Sequence, residues 1–318
     1  MKFEHIWQYV DETPWAILPS KAKLILAVLH ARTEGIKATP EALQAVMGRS
    51  GEMTARGAVA VLPLRGIIAH RAGSLEASSG GTSTESFGRV YKQLMGDPNV
   101  SAVVLDVDSP GGAVAGVHEL ATEMLALRGT KPVIAIANSV MASAAFWLAA
   151  AAADEIWAIP SATVGSIGVA ALREHAGEEA ANVEVFTSAE NKADSLGVGP
   201  LSEDGKKRLQ ARIDEAGDWF RADVAKGRGV AVSAVRAKFG EGAIFGGTDG
   251  VAAGLIDRVG TLDEAIVKAS KMKSVSMRAE AAEDVNAMRE QVHEEIAAAV
   301  GIPVSLLDAD RLRRLERF

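Results

Sequence analysis

Apolar and polar positions alternate through the middle of the chain in a strand-then-helix rhythm. The apolar runs Val59–Leu62, Ala102–Leu105 and Val133–Ile136 predict buried strands, and the longer segments between them predict helices. Strands that are apolar on both faces need helices on both sides of their sheet. We therefore predict an α/β domain over residues 56–270.

The two ends of the chain have different patterns. Lys21–Arg32 has a helical apolar period, and Thr39 followed by Pro40 is a typical helix start, so residues 1–55 are predicted to form a helical N-terminal extension. Residues 271–318 combine a linker with a charged, alanine-rich segment, which predicts a helical C-terminal tail.

Composition and charge narrow the function classes. A net charge of −7 without any basic block argues against nucleic-acid binding. The chain has no cysteine, and its six histidines lack metal-ligand spacing, so we expect no metal and no cofactor. The first residues lack a signal-peptide pattern, and the apolar stretch 133–153 is interrupted by polar residues. We therefore expect a soluble, cytoplasmic protein that does not bind membranes.

The turn Ser109–Gly112 follows the predicted strand that ends at Leu105. Its two glycines permit a backbone path that leaves N–H groups free at a helix start, where they could stabilise an oxyanion. An ordinary turn between a strand and a helix would explain the same residues.

Ser143 lies between small residues at the predicted start of helix 144–152. Its hydroxyl would be exposed at the strand end, and the Ala144 N–H would be free to bind an oxyanion. A serine at this position is also a common helix N-cap.

Two later segments could supply a base. Lys192 lies in a loop after the strand Val183–Val185, and burial could lower its pKa far enough for it to accept a proton, although Asp194 would oppose this. Ser166, in a glycine-flanked segment, could hydrogen-bond the lysine amine. Loop lysines are usually solvated, and glycine-flanked serines are common in tight turns.

Taken together and in this order, these four segments resemble the signal peptide peptidase A (protease IV) family of serine peptidases, in the Clp/crotonase-like superfamily. The similarity spans Ala58–Ala269. It implies a repeated ββα spiral with helices covering the sheets. The roles implied by the resemblance are nucleophile for Ser143, general base for Lys192, base orientation for Ser166, and oxyanion donation by the N–H groups of Gly112 (second choice Gly111) and Ala144.

Two further segments, Pro14–Ser20 and Gly80–Thr84, are similar to those of the phage prohead protease branch. That branch implies a protein substrate such as a scaffold or capsid protein, processed during head maturation in the host cytoplasm or assembling prohead. It also implies homo-oligomers, and the C-terminal tail could then be a scaffold-like segment.

Three alternatives remain open from the sequence. A histidine, His175 or else His118, could replace the lysine as base. The fold could instead carry a crotonase-type acyl-CoA enzyme, which shares an oxyanion hole of two N–H groups but needs no nucleophilic serine. The third alternative is a non-catalytic capsid-assembly factor.

Overall fold

Two sheets and the helices around them make up the part of the chain that the computed structural model describes, residues 13–33, 51–71, 81–172 and 201–272. These residues lie in one unit that ends at Met272. The strands are β1 (Trp15–Ile17), β2 (Thr54–Arg56), β3 (Val59–Arg65), β4 (Ile68–Ala69), β5 (Thr82–Ser83), β6 (Ala102–Ser109), β7 (Gly111–Ala113), β8 (Val133–Ala142), β9 (Glu155–Ala158), β10 (Thr163–Gly165), β11 (Ile244–Gly246) and β12 (Arg258–Val259). The helices are α1 (Pro19–Thr33), α2 (Thr84–Gly96), α3 (Val117–Ala126), α4 (Ala144–Ala152), α5 (Glu203–Arg228), α6 (Val232–Lys238), α7 (Gly247–Ala252) and α8 (Leu262–Ala269).

The larger sheet runs in the order β11-β10-β8-β6-β3-β2, and β9 also pairs with β8 and with β12. Its central pairs, β3 with β6 and β6 with β8, are parallel. Nearly every residue of β6 and the first half of β8 is buried, as expected for strands covered on both faces. The predicted α/β class, with helices covering the sheets, is confirmed.

Helix α4 lies inside the molecule. All nine of its residues are apolar and buried, which is typical of a helix surrounded on every side. Its bounds agree with the helix predicted from the sequence. Because α4 follows β8 directly, its first turn stands at the carboxyl end of a central strand.

The smaller sheet has the order β1-β7-β4-β5. Strand β1 comes from the segment predicted as a helical extension. Trp15 and Ile17 are buried with Ile67 and Ala113, and this apolar contact holds the segment extended against the domain. The predicted helix in this region is present as α1, which begins directly after β1.

Helix α5 is capped at both ends. The Ser202 side chain accepts a hydrogen bond from the Gly205 amide at 2.9 Å, and the helix ends at Gly229, whose φ is 64°. Within the described ranges, no helix is both long enough and apolar enough to cross a membrane.

Candidate active site

Ser143 lies between the end of β8 and the start of α4. Its backbone has φ 57° and ψ −122°, a region that non-glycine residues rarely adopt, and its amide donates to the Gly165 carbonyl at 2.8 Å. The sequence predicted an exposed hydroxyl, and this was wrong, because the residue is 0% exposed. Among the described residues the buried hydroxyl has no hydrogen-bond partner.

Gly111 and Gly112 begin strand β7 and do not lie at a helix start, as the sequence had predicted, because the next helix, α3, begins only at Val117. The amides of this glycine turn lie in different environments. Ser109 is buried, and its hydroxyl donates to the Gly66 carbonyl at 2.6 Å and accepts from the Gly111 amide at 3.2 Å. The Gly111 amide is therefore already bonded. The amide of the next residue, Gly112, points instead toward β1, the strand that pairs with β7.

The glycine turn, the start of α4 and strand β1 converge on one point. A Cβ atom added to Gly111 would lie 2.2 Å from the Ala16 carbonyl oxygen, 2.9 Å from the Ala144 nitrogen and 2.9 Å from the Ser143 Cβ. Ala144 is the first residue of α4, so its amide has no partner within the helix. A carbonyl oxygen, a helix-start amide and the serine side chain therefore surround the same small space.

Strand β1 supplies that carbonyl through its register with β7. Ala16 is opposite Gly112 in the antiparallel pair, and the flanking bonds run from Leu18 N to Pro110 O (2.9 Å) and from Val114 N to Pro14 O (3.0 Å). Antiparallel strands alternate between bonded and non-bonded pairs, so Ala16 and Gly112 exchange both of their N–H···O bonds. The Gly112 amide therefore donates to the Ala16 carbonyl.

The residues considered for the base are described only in part. Lys192 and His175 lie outside the described residues. Ser166 is buried, has φ 56°, and donates its amide to the Ala243 carbonyl at 2.7 Å. It lies one residue beyond Gly165, which accepts the Ser143 amide, so the two serines are joined through adjacent backbone.

His118 has a different neighbourhood. Its Nδ1 is hydrogen-bonded to Asp223 Oδ2 at 2.8 Å, and the Trp147 indole N–H donates to the same oxygen at 2.8 Å. The imidazole also stacks on Trp219, with ring centroids 5.0 Å apart. These contacts join α3, α4 and α5, and none of them reaches the Ser143 hydroxyl.

Sequence reasoning missed two contributors to this site. Ser109 bonds the Gly111 amide, and Ala16 places a carbonyl between the glycine turn and α4. The polar residue directly before Pro110 was a signal for the first. For the second, the sequence offered only the family resemblance of Pro14–Ser20, because only the fold brings β1 to β7. Within the described ranges, no three acidic or histidine side chains are grouped as they would be to hold a metal ion.

Sequence comparison identifies a known peptidase domain in part of the chain. Residues 126–276 match the profile of peptidase family S49. The chain carries a peptidase family S49 domain. The resemblance to signal peptide peptidase A is thereby confirmed, and the S49 domain includes Ser143 and Ser166. A putative signal peptide peptidase SppA from Enterococcus faecium is 30% identical to this chain, over 68% of this chain and 63% of that protein.

Two phage proteins are also similar to this chain. The head-tail preconnector protein GP5 of Enterobacteria phage P21 is 34% identical, over 65% of this chain and 42% of that protein. Capsid assembly protease C of Escherichia phage lambda is 32% identical, over 65% of this chain and 48% of that protein. The match thus spans less than half the length of either phage relative.

A solved enoyl-CoA hydratase from Shewanella pealeana aligns over 88% of this chain and 96% of its own, with 12% identity and a TM-score of 0.43.

Proposed function

We propose that this protein is a serine endopeptidase with Ser143 as its nucleophile. The proposal depends on one observation. The Ser143 side chain, the Ala144 amide and the Ala16 carbonyl, which accepts from the Gly112 amide, all lie around Gly111. A nucleophile and two N–H donors around one carbonyl are the arrangement that acyl transfer requires. The S49 domain and the protease names of its relatives support the same reaction.

In the proposed mechanism, the Ser143 hydroxyl oxygen attacks a peptide carbonyl carbon while Lys192 accepts the hydroxyl proton. The Gly112 and Ala144 amides stabilise the negative charge that develops on the carbonyl oxygen. Collapse breaks the C–N bond, Lys192 returns the proton to the leaving amine, and water then releases the acyl group from Ser143. Of the two glycine amides, that of Gly112 is favoured, because Ser109 already bonds the Gly111 amide.

The base must be neutral before it can accept a proton. The pKa of a free lysine is about 10.4, so the site must lower the pKa of Lys192 to near 7, which burial can do. The role of Ser166 in this scheme is to hydrogen-bond the lysine amine. The buried position of Ser166, next to the residue that accepts the Ser143 amide, supports this assignment.

The biological role we propose is processing of capsid or scaffold proteins during phage head maturation, as a homo-oligomer without membrane or nucleic-acid partners. The name of the lambda relative, capsid assembly protease, supports it. Sedimentation of the purified protein should give a particle mass of at least twice the 33.2 kDa of one chain. A monomer at micromolar concentration would contradict the oligomer.

A fluorophosphonate probe tests the chemistry, because it forms a bond between the serine oxygen and phosphorus and releases fluoride. We expect peptide mapping by mass spectrometry to find the label on Ser143 and to find none in Ser143→Ala. Lys192→Ala should lose at least about a thousandfold in labelling rate, since no base remains. The matched control is Lys206→Ala, whose exposed amine pairs with Glu203 and should leave the rate unchanged.

The same experiment separates the alternatives. Full activity in Lys192→Ala would favour a histidine base, and His118→Ala with His175→Ala would identify it. Hydrolysis that survives Ser143→Ala, or specific binding of a CoA thioester, would favour a crotonase-type enzyme. Absence of any Ser143 reaction in every variant would favour a non-catalytic assembly factor.

A further inference from the structure

An extended segment of this chain lies beside Ser143, in the position that a substrate peptide would take. Residues 14–18 bond to β7 on one edge through Pro14, Ala16 and Leu18. On the other edge, the Trp15 amide donates to the Ala170 carbonyl at 2.8 Å, and the Ala170 amide donates to the Trp15 carbonyl at 2.9 Å. Main-chain hydrogen bonds of this kind hold extended peptides against a sheet edge in β-addition.

The register of this segment matches the position of a substrate. Its Ala16 carbonyl accepts from Gly112 and lies near the Ala144 amide and the Ser143 side chain. Ala16 therefore occupies the place of the residue before a scissile bond, and the bond presented to Ser143 is that between Ala16 and Ile17. Ala16 is 0% exposed and packs in the same buried cluster as Ile68 and Ala144.

Both sides of this bond are anchored. Trp15 and Ile17 are buried with Ala22, Ile67 and Ala113, and α1 begins two residues after Ile17. If Ser143 attacked Ala16, the Ile17 amine would stay beside the acyl group instead of leaving, so the peptide bond would form again. This geometry therefore predicts that the bond between Ala16 and Ile17 stays intact and that the segment is not consumed as a substrate.

We propose that Pro14–Leu18 is an intramolecular substrate mimic that fills the peptide-binding cleft and must leave it before a substrate binds. The inference rests on the proposed peptidase function. It also defines the ligand class. The cleft takes an extended peptide whose residue before the scissile bond is as small as alanine, since Ala16 is fully enclosed and the adjacent Gly111 and Gly112 leave no room for a Cβ atom of their own.

A larger side chain at residue 16 tests the proposal, because it should raise the rate of Ser143 labelling, whereas most disruptive core substitutions lower activity. Arginine does not fit the enclosed position, so Ala16→Arg should expel the segment and raise the rate of Ser143 labelling by fluorophosphonate at least about tenfold. The matched control is Ala269→Arg in α8, an equally buried alanine in a separate apolar cluster. That variant should show no increase, because disrupting the core elsewhere does not open the cleft.

A milder variant covers the case in which Ala16→Arg does not fold. Leu18→Pro removes the amide that donates to Pro110, and the loss of one such hydrogen bond should raise the labelling rate by about fivefold. An acetylated peptide with the sequence of residues 14–18 should then inhibit the opened variant competitively. A scrambled peptide of the same composition should not inhibit it.

Three results would overturn the mimic. Equal labelling rates in the unaltered chain, Ala16→Arg and Leu18→Pro, with native thermal transitions, would mean that the segment does not block the cleft. Failure of the acetylated peptide to inhibit would mean that the segment does not bind as a ligand. A Ser143-dependent loss of residues 1–16, seen by intact mass, would make the segment a substrate. If no variant reacts at Ser143, the peptidase proposal itself fails, and this outcome differs from all three.

Discussion

At the scale of single residues, two buried serines of the site differ in what their hydroxyls contact. Ser109 and Ser143 are both 0% exposed. The Ser109 hydroxyl makes two hydrogen bonds to backbone, whereas the Ser143 hydroxyl makes none among the described residues, and Ser143 has an unfavourable backbone φ. A buried, unpaired polar group lowers stability, and such groups concentrate at functional sites. Ser143 therefore has the physical character of a reactive group, and Ser109 that of a structural one.

Substituting the two serines should change stability in opposite directions. Ser143→Ala removes an unpaired hydroxyl and should raise the free energy of unfolding by about 1 kcal/mol while activity is lost. Ser109→Ala leaves a buried carbonyl and a buried amide unpaired and should lower the free energy of unfolding by about 1–3 kcal/mol. Urea denaturation of both variants measures the difference. A destabilised Ser143→Ala would mean that its hydroxyl has a partner in the folded protein.

At the scale of elements, helix α4 is held in place by a close approach of α5. A Cβ atom added to Gly227 would lie 2.0 Å from the Ala150 carbonyl oxygen. The Arg128 guanidinium donates to the carbonyls of both residues, at 2.7 Å to Gly227 and 3.2 Å to Ala150. The first turn of α4 provides the Ala144 amide, so this contact between helices supports the geometry of the site.

A pair of glycine substitutions tests this contact. Gly227→Ala should push α5 away from α4 and lower the free energy of unfolding by at least about 2 kcal/mol. Gly96→Ala, at the end of α2, meets no atom within 4 Å and should raise it by about 0.5 kcal/mol through better helix propensity. Thermal denaturation of the two variants provides the comparison, and equal effects would show that α4 and α5 can separate freely.

At the scale of the whole molecule, Asp257 connects three distant parts of the chain. Its carboxylate accepts two hydrogen bonds of 2.7 Å from Arg228, at the end of α5, and one of 2.7 Å from the Ile156 amide in β9. Burial alone would raise the pKa of Asp257, but the bonds from Arg228 and Ile156 outweigh it and lower the pKa below the ordinary value. The folded state therefore favours the charged carboxylate.

This pKa shift makes stability depend on pH. Because the folded pKa lies below the unfolded value of about 3.9, the stabilisation is present above that pH and is lost as pH falls through it toward the folded pKa. Because solvent screens this partly exposed carboxylate, Asp257→Asn should lower the free energy of unfolding by at most about 1 kcal/mol at pH 7, and by less at pH 3. Guanidinium denaturation at both pH values measures this. Asp218→Asn is the control, since that exposed carboxylate should have little effect. A difference that does not shrink at pH 3 would contradict the role of ionised Asp257.

Much of the fold was predictable because its signals are local. The apolar runs of β3, β6 and β8 and the bounds of α4 follow from period and composition, and the order of the motifs indicated the family that sequence comparison confirmed. The catalytic roles of Ser143, Lys192, Gly112, Ala144 and Ser166 stay predictions, although the structure brings Ser143, Ala144 and the glycine turn together.

Local patterns in the sequence predicted the central strands, helix α4 and the side chains that could react, because those properties depend on neighbouring residues, but they did not predict β1 or β7 as strands. The folded structure was needed to show that the Ser143 hydroxyl is buried, that the Ser109 hydroxyl bonds the Gly111 amide, and that Ala16 lies beside Ser143. Each of these depends on contacts between residues far apart in the chain. Such contacts arise from packing and sheet register, which leave no local pattern in the sequence.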